Sequence, residues 1–270
     1  MILVLVHLLL LNVLILFNKV NSAQQIKDLK ISLKTLSNRD RAFGEKKYLK
    51  STLRHYGVTV PRLRRLASNW ISQNPQLTIN QLVDFSNQLW DSPWHEERML
   101  AMFILVQRKN ELAYRHLPQI EHMINTATNW AQLDGIAVWL VGSIIDSNKR
   151  TLNYLTKWIK SDNFWVRRAA ILAQIIQFRQ GRGDMKLFQQ LAQTQFPQEK
   201  QMETQERFFI RKAIGWALRE RVVADPNSIF QFVTKFQDQI SSLTYREATR
   251  KLPSEYQTKL SQSHTTPQTH

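Results

Sequence analysis

From Gln24 onward, apolar residues in this chain recur at three- and four-residue spacing, the period of a helix buried along one face. In Arg62-Leu63-Arg64-Arg65-Leu66-Ala67-Ser68-Asn69-Trp70, the side chains of Leu63, Leu66 and Trp70 share one side. Residues 99–106 and 169–178 read the same way. The period-two alternation of a half-buried strand is almost absent. Ser, Asn, Pro and Gly interrupt the pattern at short intervals, among them Gly57, Pro75, Ser92-Pro93, Asn110, Ser161-Asp162 and Asp225-Pro226. The expectation is an all-α chain of about eleven to thirteen helices with short connections. Ser92 before Pro93 has the residue types of an N-cap and a first helical residue, and Asp162 and Asp225-Pro226 look like similar starts.

Part of this pattern repeats. Trp94-His-Glu-Glu-Arg98 resembles Phe164-Trp-Val-Arg-Arg168, and both resemble Phe208-Phe-Ile-Arg-Lys212. In each, an aromatic is followed four residues later by a cation, then by small and apolar residues. The cations lie 70 and 44 residues apart, which suits two units and one unit of a helix pair of roughly 40 residues. Such a unit cannot bury its apolar face alone and stacks on its neighbours into a solenoid. The reading is therefore a helical-repeat solenoid with a concave basic surface. A plain helical bundle is the alternative.

Charge narrows the partner. The 37 Lys and Arg outweigh 21 Asp and Glu, for a net charge of +16, and this favours a polyanion: nucleic acid first, an acidic membrane surface second. Cysteine is absent, so disulfides, thiolate metal sites and a cysteine nucleophile are excluded. Gly181-Arg182-Gly183 is a basic turn and not a phosphate loop. His95 beside Glu96 and Glu97 lacks the second histidine of a zinc helix, and no Gly-x-Ser-x-Gly is present. Metal hydrolysis, nucleotide hydrolysis and serine acylation have no support, and neither a metal nor a cofactor is expected.

Asp134 is the acid of interest. It follows Trp130 by four residues, so both project from one helical face, among Leu133, Ile136, Ala137 and Val138. A carboxylate there caps something, pairs with a cation, or acts. Trp130 and Trp216 read alone as core aromatics. Arg167 and Arg168 read alone as a solvated face or a structural ion pair.

Together these residues resemble the AlkD family of DNA alkylation-repair glycosylases, built from HEAT-like repeats. The likeness covers about residues 26–251. Its carriers are Lys47-Tyr48-Leu49-Lys50, Tyr56-Gly57-Val58 with Pro61, Leu89-Trp90 with His95-Glu96-Glu97-Arg98, Trp130 with Asp134, Phe164-Trp165-Val166-Arg167-Arg168, and the segment from Phe209 to Glu220. The resemblance implies a DNA-binding cleft in which Asp134, Trp130 and Trp216 are catalytic. It implies that Tyr48 helps line the site, and that Arg168, or Arg167 one residue earlier, contacts the DNA backbone. The implied substrate is double-stranded DNA containing alkylated purines, handled by a monomer without a cofactor or metal. A purine alkylated at N3 or N7 is cationic and already a good leaving group, so no general acid is needed. What remains is positive charge developing on the sugar, which a carboxylate and aromatic faces stabilise. The alternative is a non-catalytic protein of the same fold that binds distorted or branched DNA.

The chain's ends stand apart. Residues 1–23 open with MILVLVHLLLLNVLILF and then small residues, as in a secretory signal or an N-terminal anchor, but no Lys or Arg precedes the apolar run. DNA chemistry belongs in the cytoplasm, so a mis-assigned start is favoured over export or membrane anchoring. The expected repeat domain covers 24–256, and residues 257–270 read as a disordered polar tail.

Overall fold

The structure, a computed structural model, describes residues 22–265. The apolar N-terminal run lies outside them. Among the described residues no helix is long and apolar enough to cross a membrane.

Among these residues the protein is all helical, with no strands, and has a helical-repeat fold. The described residues form sixteen α-helical segments, α1 to α16, more than the eleven to thirteen expected. The chain divides into two compact units, one ending at Gln107 and one starting at Arg108.

The first unit contains α1 (22–35), α2 (Arg39–Leu49), α3 (Val60–Gln73), α4 (Ile79–Trp90) and α5 (His95–Gln107). Its core holds Leu33, Leu63, Leu82, Leu89, Trp90 and Leu100, all fully buried. Helix starts follow the expected chemistry: Asn38 accepts from the Arg41 N–H, and Thr78 with Gln81 forms a reciprocal capping box. Ser92 differs. Its hydroxyl accepts from the Trp94 N–H at 3.1 Å, but α5 starts only at His95. The delay arises because the backbone at 93–95 is held against Arg54, through Arg54 N–H to the Pro93 carbonyl and His95 N–H to the Arg54 carbonyl.

Two motifs of the family likeness prove to be halves of one clasp. The Glu96 carboxylate accepts from the backbone N–H groups of Tyr56, Gly57 and Val58, and Glu97 accepts from the Tyr56 hydroxyl. Gly57 sits at φ +78, where a Cβ would lie 2.1 Å from the Asn38 carbonyl oxygen, so no other residue fits there. Glu96 thus pins the loop before α3 onto the first turn of α5.

The second unit runs through α6 (Leu117–Thr126), α7 (Trp130–Gly135), a π-helical turn (Ile136–Val141), α8 (Gly142–Ser147), α9 (Leu152–Trp158), α10 (Phe164–Leu172), α11 (Ile175–Arg179), α12 (Met185–Gln195), α13 (Thr204–Arg221), α14 (Pro226–Phe236), α15 (Ser242–Thr249) and α16 (Ser254–Thr265). From α7 to α8 the chain is one helix interrupted by the π turn. Leu133, Leu140, Ile144, Trp158, Phe178, Phe188, Phe232 and Phe236 fill its core. Asp225 caps α14 ahead of Pro226 as expected, whereas Asn163, not Asp162, caps α10.

α16 corrects the expected tail. The chain is helical as far as Thr265, and Leu260 is buried, so a single apolar anchor suffices where the sequence shows no sustained periodicity. Residues 266–270 lie outside the described residues.

The repeat is real but its register moves by one. Arg98 Nε donates to the Ser92 carbonyl, six residues back, and Arg167 Nη1 donates to the Ser161 carbonyl, also six back. Ser92 and Ser161 likewise each accept from the N–H two residues on. Arg98 therefore corresponds to Arg167, not to Arg168. An aromatic-to-cation pattern misses this because both positions are arginine.

Candidate functional site

α7 is set in place by buried polar caps. The Asn129 side chain accepts from the Gln132 N–H at 3.2 Å, and Gln132 Oε1 accepts from the Thr128 N–H at 3.1 Å. Trp130 is the first residue of the helix and Asp134 the fifth, both half-buried on one face.

Arg168 meets that carboxylate with both prongs of its guanidinium: Nε to Oδ1 at 2.8 Å and Nη2 to Oδ2 at 2.9 Å. Its third nitrogen donates to the Phe209 carbonyl on α13, and the guanidinium carbon lies 5.4 Å from the Phe209 ring centre. One buried arginine on α10 thus ties α7 to α13. The Asp134 side chain keeps 16% exposure against 4% for Arg168. A carboxylate offers about four lone-pair sites. Arg168 uses one on each oxygen, so the remaining pairs can take up a water.

Trp216 lies on α13, seven residues after Phe209 and so on the same side of that helix. It is half-buried, and its indole N–H donates to Glu220 at 2.9 Å. Glu220 also accepts from Arg179 at 2.7 Å. Burial acts to raise the Glu220 pKa, but the bonds from Arg179 and Trp216 outweigh it and hold the carboxyl below its ordinary value.

Arg167 points elsewhere. It bonds the carbonyls of Ser161 and Asp162 and pairs with Glu206, and its side chain is 7% exposed. Burial pushes its pKa down. Both arginines thus have protein partners at the site, Arg168 on α7 and α13 and Arg167 at the start of α10 and on Glu206. Each is already engaged by protein acceptors and shielded from solvent. Tyr48 lies in the first unit, 73% exposed near the end of α2, with Lys46 and Lys47 in the same last turn.

The structure thus joins Asp134 to Arg168 directly, and links both to the helix of Trp216. It turns Arg167 toward the start of α10 and Glu206. Phe209 and Glu220 were missed by sequence reasoning as site residues. The Glu220 pairing had a visible signal, since Trp216 and Glu220 are four residues apart on a helix. The Phe209 carbonyl had none, because a backbone acceptor carries no side-chain signature.

Residues 29–252 match the sequence profile of the DNA alkylation repair enzyme family. The chain belongs to that family. A solved structure described as a predicted DNA alkylation repair enzyme from Enterococcus faecalis has the same fold. It superposes with a TM-score of 0.69 over 81% of this chain and 97% of that one, at 19% identity. A second, smu.31 from Streptococcus mutans UA159, aligns more loosely, at 16% identity over 87% of this chain and 100% of that one, with a TM-score of 0.44. No curated protein matches the chain in sequence. Membership makes DNA the substrate of the family to which this chain belongs, and gives the net charge of +16 its partner.

Proposed function

We propose that this protein is a monofunctional DNA glycosylase that hydrolyses the N-glycosidic bond of cationic N3- or N7-alkylated purines in duplex DNA. The observation that carries the reading is the Asp134 carboxylate, held by two charge-assisted N–H bonds yet still partly open to solvent. A fixed carboxylate loses little on reorganisation when positive charge develops on the sugar. Its uncommitted lone pairs can orient the attacking water. Trp130, one turn earlier, and Trp216 on α13 supply aromatic faces to the same developing cation. The alkylated base leaves as a neutral purine, so no acid is required of the protein.

Arg168 in this reading positions Asp134 rather than gripping phosphate. Lys212, exposed on α13 one turn before Trp216, is the better placed cation for the DNA backbone. Tyr48, with Lys46 and Lys47 in the same turn of α2, is an exposed DNA-binding group of the first unit. The protein acts as a monomer in the cytoplasm, where the DNA is. The second reading, a binding protein for distorted DNA without catalysis, draws on the same buried pair, because an ion pair that joins three helices also serves structure alone.

Release of free 7-methylguanine from a duplex carrying that lesion separates the two. The wild type should release the base far faster than spontaneous loss, and Asp134→Asn should lower the rate by about a hundredfold. Equal, spontaneous rates for both proteins would leave only the binding reading.

A further inference from the structure

Directly after Asp134 the helix changes pitch. Ile136–Val141 forms a π turn, in which the Gly142 N–H donates to the Ala137 carbonyl five residues back. Such turns insert one residue into an α-helix and are frequent at functional sites. The consequence shows in burial. With α-helical spacing, the position stacked after Trp130 and Asp134 would be Val138. Val138 is 3% exposed and belongs to the core, as do Ala137, Leu140 and Val141. The half-buried residue is Trp139 instead. The extra residue carries the face of Trp130 and Asp134 onward to Trp139.

The indole of Trp139 differs from others in the chain. Trp70 stacks on Phe85, Trp94 on Tyr56, and Trp165 lies against Phe209. Arg98 sits over Trp90, and Trp158 and Trp216 donate to Glu121 and Glu220. Among the described residues, Trp139 has no aromatic, cationic or hydrogen-bonding partner for its ring. A large, partly exposed aromatic five residues after that carboxylate on the same interrupted helix is suited to stacking on a planar partner, since every base offers a π-face.

We propose that Trp139 is a substrate-contacting residue that stacks against the alkylated nucleotide, so that Asp134 lies between two aromatic faces, Trp130 and Trp139, along one helix. The proposal rests on the reading of Asp134 as the carboxylate at the reacting sugar. The positive charge of an N3- or N7-alkylated purine strengthens the contact over that with an ordinary base, because the ring face attracts a desolvated cation. Trp139 therefore contributes to choosing damaged over undamaged nucleotides.

Two measurements test this, one of them independent of catalysis. Residue-resolved hydroxyl-radical footprinting should find Trp139 oxidised in the free protein and protected in complex with a duplex carrying a tetrahydrofuran abasic analogue. Trp139→Leu should slow 7-methylguanine release by about fivefold to thirtyfold, whereas Trp139→Phe should retain most of it. The unfolding midpoint of Trp139→Phe should equal that of the wild type, which separates substrate contact from packing. Equal oxidation of Trp139 with and without DNA overturns the proposal, as does wild-type excision by Trp139→Leu. Should the wild type release no base, the glycosylase reading fails, and the footprint alone still decides whether Trp139 meets DNA.

Discussion

The Asp134–Arg168 pair is where one side chain decides most. Each partner is partly or wholly withdrawn from water, and breaking such a pair leaves one charge uncompensated. Arg168→Leu should lower stability by about 3 kcal/mol, read from urea unfolding, and should also lower excision. Arg168→Lys keeps the charge but loses the planar fork. It should fold near the wild-type midpoint while excising 7-methylguanine at least about tenfold more slowly. Unchanged excision in Arg168→Lys would remove the positioning role. His95 is a second residue with a calculable consequence. Burial, and then the neighbouring His55 charge, bring its pKa down from 6.5 to about 3. The unfolded chain therefore binds the extra proton between these values and the folded protein does not. Stability from this group is full above pH 6.5 and is lost progressively as pH falls toward 3. His95→Phe, which keeps an aromatic ring on His55, should flatten the unfolding midpoint across that window. A wild-type midpoint that does not change between pH 6.5 and 4 would contradict the assignment.

At the scale of elements, the site depends on helices being held at short range. Gly215 on α13 faces α15 so closely that a Cβ would lie 2.6 Å from the Glu247 Cβ and 2.9 Å from the Thr244 carbonyl oxygen. Both obstacles are on or near backbone and cannot swing away. Gly215→Ala should therefore cost about 1–3 kcal/mol, and the displacement of α13 should reach the next residue, Trp216, lowering excision. A variant with unchanged melting temperature would show that the helices part without strain. The sequence marks Gly215 only as a glycine within a helical pattern, because the demand comes from a partner helix 30 residues later. The π turn is equally invisible. Asp134 to Val141 reads as ordinary helix by spacing, and the Gly142 bond to the Ala137 carbonyl, with the burial of Val138 and the partial exposure of Trp139, reveals the extra residue. The arginine repeat was legible as a pattern, yet its register was not, since adjacent arginines at 167 and 168 satisfy the same aromatic-to-cation spacing. Their different bonds, to helix-start carbonyls and to Asp134, resolve it.

For the whole molecule, the net charge of +16 sets how binding responds to salt. Each phosphate neutralised releases condensed counterions, so affinity for undamaged duplex should fall by about a thousandfold or more between about 50 and 200 mM salt if six to ten phosphates are contacted. Fluorescence anisotropy at the two salt concentrations checks this, and a flat response would remove DNA as the partner of the excess charge. The all-helical class, the start of α14 and the family were set by the sequence itself, because periodicity, capping residues and motif strings are local properties that survive without a folded neighbour. Of the candidate site, the residues alone showed the shared helical face of Trp130 and Asp134, while Trp216 was legible only through the family resemblance. The tertiary structure alone decided what the arginines do. Arg168 is drawn inward because Asp134 and the Phe209 carbonyl converge on it from two other helices, and Arg167 turns to Glu206 and the turn before α10. Whether a cation meets solvent, phosphate or a buried carboxylate depends on which acceptors distant helices bring within about 3 Å, and that geometry is not encoded at any one position in the chain.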